Sequence, residues 1–186
     1  MQNRSDLRNA SEKGTKMTQE KTKRRIINHW TAGTLSPNND DLEHYHFIID
    51  GKGIIHIGTH SVASNDNTAD NDYAAHTGGG NTMRIGIAVC GMYKFISAQN
   101  PGKFLLTKIQ LEKLFETNAN IAFREGHKIF NDDNLMTHRE FGLKHPETSS
   151  AGKIDICFLP PYPDIKPDEA GNFIRNKSQW YLDKLL

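Results

Sequence analysis

The chain has 186 residues, 23 Lys and Arg against 22 Asp and Glu, and a formal net charge of +1. That length holds one ordinary core and is too short for two comfortable domains. So even a balance supplies no field to gather nucleic acid or an anionic membrane surface, and no apolar run is long enough to span a bilayer, so neither partner is expected.

Residues 1–23 are polar, mixed in charge and nearly free of large apolar side chains. They bury too little to offset the entropy of ordering them, and read as a flexible tail ahead of one domain, 24–186. Met17 offers an alternative start. Lys21, Lys23, Arg24 and Arg25 read as solvated tail in preference to a nucleic-acid or cell-wall contact. The segment lacks the apolar stretch and cleavage site of a secretory signal, so a protein cytoplasmic when made is expected.

Arg25 to Trp30 reads as a strand with Ile27 and His29 on one face, and the Ala32-Gly33 break places His29 at its end. Tyr45 to Asp50 and Ile54 to Ile57 flank Gly51-Lys52-Gly53, a hairpin turn. On the first of these, Tyr45, Phe47 and Ile49 are expected on one face and His44, His46 and Ile48 on the other. Ser64 to Asp72 is a polar surface loop of the kind that rims a cleft. Gly78-Gly79-Gly80 is not followed by the Gly-Lys-Ser/Thr of a phosphate loop. Arg84 to Cys90 is apolar enough for a central strand.

From Thr107 the pattern turns helical, with capping-box spacing to Gln110 and Leu111, Leu114, Phe115, Ile121 and Ala122 on one face, until Gly126. This helix is expected to pack on the sheet. Leu135 to Thr137 is a short strand running into His138. After Asp155, Pro160-Pro161 and Pro163 end regular structure, and Ser178 to Leu186 reads as a last helix capped by Ser178. The two cysteines, Cys90 and Cys157, form no framework, which excludes a disulfide-stapled domain.

Three segments carry the chemistry: Asn28-His29-Trp30-Thr31-Ala32-Gly33, Thr137-His138-Arg139-Glu140 and Gly152-Lys153-Ile154-Asp155. Each brings a metal-ligating side chain to a strand end or the loop after it, and together they supply two imidazoles and a carboxylate. Three protein donors with a fourth position open make zinc a catalyst. His56 and His60, without a helical His-Glu-x-x-His context, read as structural.

With Tyr45-His46-Phe47-Ile48-Ile49-Asp50-Gly51, Ala75-His76-Thr77-Gly78-Gly79-Gly80-Asn81 and Arg84-Ile85-Gly86-Ile87-Ala88-Val89, these segments resemble the zinc N-acetylmuramoyl-L-alanine amidases of type 2, kin to peptidoglycan recognition proteins. The resemblance runs from about Ile26 to Asp155. It implies an α/β single domain: a central mixed β-sheet flanked by helices, zinc at the strand ends. It also implies zinc ligands His29, His138 and Asp155, catalytic Tyr45 and Lys153, and substrate contacts at His76 and Asn81. Trp30 either stacks on a sugar or fills core.

In three places the chain departs from the pattern, and one is a stretch between His138 and Asp155 longer than in compact relatives. Ile156-Cys157 stands where the family has Pro-Gly after the third ligand, leaving Cys157 as a rival to Asp155. Ala88 occupies the place of a Glu in the cytosolic recycling amidases. The implied enzyme is a monomeric hydrolase of polymeric peptidoglycan, of phage or prophage endolysin type, reaching the wall through a membrane lesion. A non-catalytic recognition module, a cytosolic muropeptide-recycling amidase and a secreted antibacterial effector are the alternatives.

Overall fold

The computed structural model describes residues 22–186. Met17, Lys21 and nearly all of the expected tail lie outside the described residues. The chain runs β1 (Arg25–Trp30), α1 (Asn39–His44), β2 (Phe47–Ile49), β3 (Ile55–Ile57), a 3-10 turn (Val62–Asp66), β4 (Arg84–Val89), α2 (Lys108–Glu125), β5 (Leu135–Thr137), α3 (His138–Lys144) and α4 (Ala170–Leu182). The strands form one mixed sheet in the order β3-β2-β4-β1-β5. β4 is central, as its apolar run predicts; only β2 and β3 pair antiparallel.

Period-two alternation sends successive side chains of β1 to opposite faces. Ile26, Asn28 and Trp30 meet the α2 side, while Ile27 and His29 meet the other. On the first side Ile85, Ile87 and Val89 of β4 pack with Leu111, Leu114, Phe115 and Ala122 of α2 and Ile174 and Leu182 of α4. Asn28 is fully buried there, exchanging two hydrogen bonds of 2.9 Å with Asn118 of α2. Asn118 also donates to Ser178 of α4 at 3.1 Å. On the other side Ile27 packs with Met136 and Phe141 of α3, and Ile48 with Ala88 and Cys90. That thinner side, with less apolar cover, is the one into which His29 projects.

α2 starts at a full capping box between Thr107 and Gln110 and ends on Gly126 in the left-handed region. Four expectations need correction. Tyr45 is not on a strand: it caps the C-terminus of α1, which shifts the alternation, so it packs beside Ile48 and not with Phe47 and Ile49. Ser178 is no cap, because α4 begins at Ala170 and the hydroxyl sits fully buried on Asn118. The polar segment from Ser64 opens inside the 3-10 turn, where Asn65 is fully buried. Arg24 is 8% exposed and bonded to Asp66 at 2.6 Å and Glu125 at 2.9 Å, so it anchors the start of β1. No helix among the described residues is long and apolar enough to cross a membrane.

Candidate active site

Parallel β1 and β5 end side by side, and their carboxyl ends are where an α/β sheet offers a site. His29 is the penultimate residue of β1, and His138 follows β5 directly as the first residue of α3. Thr137 and Glu140 form the capping box that starts α3, so β5 turns into helix at once and the His138 ring is held over the strand ends. The backbone N–H of Arg139 reaches the Asp155 carbonyl at 3.4 Å, tying the third segment to the second. Ile156, next in the chain, is fully buried in the α2-side core with φ of 52°. A β-branched residue in that region costs about 1–3 kcal/mol, which its core packing must outweigh. The turn it makes directs Asp155 back toward the histidines.

His29 Nδ1 lies 3.1 Å from His138 Nδ1 and 3.1 Å from Asp155 Oδ2, and His138 Nδ1 lies 2.9 Å from the same oxygen. Donors bound tetrahedrally at about 2.0 Å stand about 3.3 Å apart, so the three atoms have the spacing of one face of such a site. Among the described residues they form the group able to hold a metal ion. Cys157 is not in it: the thiol is buried in the α2-side cluster. Burial is the main cause that lowers His29 to about 4, against the pull of Asp155. Burial works against the Asp155 carboxylate too, but a proton or positive charge on His138 and His29 prevails and holds it well below the usual carboxylate range; a cation held between the three groups would act in the same direction. A neutral His29 beside an ionised carboxylate is the state metal binding needs.

A cleft of about 460 Å³ opens over this group, walled by Trp30, Tyr45, His76, His138, Lys153 and Asp155. A larger hollow of about 640 Å³ between Phe130 and Arg175 shares no lining residue with it. The Tyr45 ring sits 5.1 Å from that of His29, and burial, its largest influence, keeps the phenol protonated. Lys153 is exposed on the rim. Trp30 is 4% exposed and stacks obliquely on Phe95 at 4.9 Å, with one edge on the cleft. His76 is 6% exposed and lies behind His29, its ring nitrogens facing protein groups. Asn81 stands off the cleft wall, accepting the Thr77 N–H at 2.7 Å.

Comparison with known families matches residues 19–153 to the family described as Amidase_2, N-acetylmuramoyl-L-alanine amidase. The chain belongs to that family. The amidase therefore hydrolyses the bond between N-acetylmuramic acid and L-alanine, and its substrate is peptidoglycan. The matched stretch stops two residues short of Asp155. Among solved structures, the amidase is similar to N-acetylmuramoyl-L-alanine amidase LysC from Clostridium intestinale URNW, at 17% identity and a TM-score of 0.43, over 68% of this chain and 76% of that one. No curated protein matches the chain.

Sequence reasoning missed Ser150, whose hydroxyl lies 3.0 Å from His138 Nε2, and Thr77, 3.4 Å from His29 Nε2. Neither carries a local signal: each acts across a separation in the chain that only the fold closes.

Proposed function

We propose that the amidase is zinc-dependent, with His29 Nδ1, His138 Nδ1 and an Asp155 carboxylate oxygen as ligands, and acts on polymeric peptidoglycan as a phage or prophage endolysin. One observation carries this: His138, Asp155, the half-buried Tyr45 phenol and exposed Lys153 line a single cleft, with His29 buried directly against the first two. Zinc bound there supplies Lewis acidity toward the amide carbonyl and acidifies a water molecule.

The chain's own groups do the rest. Tyr45, held protonated at neutral pH by burial, donates a hydrogen bond to the carbonyl oxygen as charge develops on it. Lys153 brings an ammonium charge from the rim to the same oxygen. A recognition module has no use for that pair beside an open metal site, which favours the enzyme. Trp30 offers its cleft edge to the sugar, while the bulk of the ring fills core.

Ala88 supports the endolysin reading over the recycling one. It pairs with His29 in the sheet and is fully buried, so no carboxylate stands there to act as base. Tyr45 and Lys153 then serve as donors to the developing charge, and a zinc ion held by His29, His138 and Asp155 would supply the acidified water in place of a carboxylate base.

The test is digestion of purified cell-wall sacculi with chelator-treated and zinc-restored enzyme. Zinc-dependent appearance of free L-alanine amino termini, without new reducing sugar ends, is the expected result. Release of reducing ends, or amide cleavage unaffected by chelator, would overturn the reading.

A further inference from the structure

The glycine run and the buried ring of His76 have so far no part in the chemistry. His76 Nε2 faces the Arg84 carbonyl oxygen at 3.4 Å, and a carbonyl only accepts, so this nitrogen carries the ring proton. His76 Nδ1 is then an acceptor. It takes the Thr77 hydroxyl at 2.8 Å, and His29 Nε2 faces both this nitrogen at 3.2 Å and the Thr77 oxygen at 3.4 Å, neither of which has a proton to give it. His29 therefore holds its proton on Nε2 and presents a bare Nδ1 to the metal site.

The second ligand is set in the same manner. Ser150 Oγ donates to the Gly78 carbonyl at 2.8 Å, so it must accept from His138 Nε2 at 3.0 Å. His138 too is left with a bare Nδ1. Three lone pairs about 3 Å apart repel one another and call for a cation.

Both chains of hydrogen bonds end on carbonyls of one segment, at Gly78 and Arg84. Close approach leaves no room for a side chain at two of its glycines or at the strand residue beside it: a Cβ on Gly78 would overlap Ser149, one on Gly80 the Phe141 ring, and one on Gly86 of β4 the His76 ring. Asn81 holds the segment from within, accepting from Thr77, while Asn65 donates to the Asn81 carbonyl at 3.1 Å.

We propose that residues 76–84 form a brace for the metal centre, with His76 and Ser150 as positioning residues that fix both ligand histidines in the Nε2–H form. This gives His76 and Asn81 a role besides the substrate contacts expected of them, and it rests on the zinc reading above. Partners on the outer nitrogen of a ligating histidine set ring orientation and raise ligand basicity, and their loss weakens metal binding by about 10- to 100-fold.

The experiment compares the full-length parent with His76→Leu, His76→Gln and Ser150→Ala. Zinc affinity is measured by competition with a chromophoric chelator. Imidazole tautomers of the zinc-free proteins are read by long-range ¹⁵N–¹H NMR. His76→Leu and Ser150→Ala are expected to bind zinc about 10- to 100-fold more weakly. His76→Gln, whose amide can accept from His29 and donate to Arg84, is expected within a few-fold of the parent. In the parent both ligand rings carry the proton on Nε2; His76→Leu loses that preference at His29 only, and Ser150→Ala at His138 only.

Parent-like affinity in both disrupting variants, Nδ1–H rings in the parent, or equal loss in the Gln and Leu variants would overturn the brace. A parent that binds no zinc but shows both Nε2–H rings would sink the zinc reading and leave the hydrogen-bond relays standing.

Discussion

Removing Asp155 tests the metal centre most directly. The Asp155→Ala variant takes away the sole anionic donor and leaves two imidazole nitrogens 3.1 Å apart with no charge to balance a divalent ion. An ion that binds only the folded state stabilises it by about 4 kcal/mol when present at 1,000 times its dissociation constant. For a chain of this size each kcal/mol moves Tm by about 2–4 °C, so zinc should raise the parent's Tm by about 8–16 °C over the chelator-treated protein. Asp155→Ala should keep at most a few degrees of that rise. Cys157→Ser should keep it all, since the thiol is packed against apolar neighbours. The assay is thermal unfolding followed by circular dichroism, with zinc buffered at known free concentrations. A parent that melts at the same temperature with zinc or chelator would refute the triad as a metal site. A zinc increment lost in Cys157→Ser and kept in Asp155→Ala would move the third ligand to the thiol.

Two further outcomes follow from the cleft and from the layer behind it. Lys153→Ala should keep zinc and Tm but lower kcat by about 100-fold or more, and Tyr45→Phe should do the same more mildly; turnover of purified peptidoglycan at the parent rate by both would reduce them to structure. His46, lowered to about 4 chiefly by burial, accepts the Gly86 N–H at 3.0 Å and donates to Asn65 at 3.0 Å, so only its neutral form fits. The unfolded chain takes up this proton first, below pH 6.5. Stability is thus lost as pH falls from 6.5 through 4, by about 3 kcal/mol from this ring. In urea titrations the stability difference between the parent and His46→Gln should shrink by that amount from pH 7 to pH 4, and a constant difference would contradict it.

Much of the sheet was legible because each long strand obeys one rule. β1 and β4 alternate or run apolar throughout, and α2 announces its start with Thr107 and Gln110. α1 was not legible: six residues, Asn39–His44, carry no apolar period, and beyond the Asn38–Asp41 cap they are held by contacts from distant positions, Leu42 against Ile48 and the Thr59 N–H on the Leu42 carbonyl. That short helix moved Tyr45 off the strand, and with it the side on which the phenol emerges. α4 was placed late because Glu169 caps nothing, whereas Ser178 looks like a cap and is buried by Asn118. Of the site, the ligand types and their strand-end positions could be read along the chain. Which nitrogen each ring turns toward Asp155 could not, because the groups that meet the other nitrogen, His76, Thr77 and Ser150, come from distant positions.

The segment after Asp155 gives the fold a consequence for anyone who would cut it. Family kinship ends at Lys153, a natural place to truncate or to join another domain. Yet Ile156, Leu159, Ala170, Ile174 and Leu182 beyond it are buried with α2, and Arg175 reaches back to Glu140, the residue that closes the cap under His138. A fragment ending at the kinship boundary would lose Asp155, bare the apolar flank of α2 and loosen the turn that presents His138. The candidate site and the core share these last thirty or so residues, and a transplantable amidase module must carry them whole.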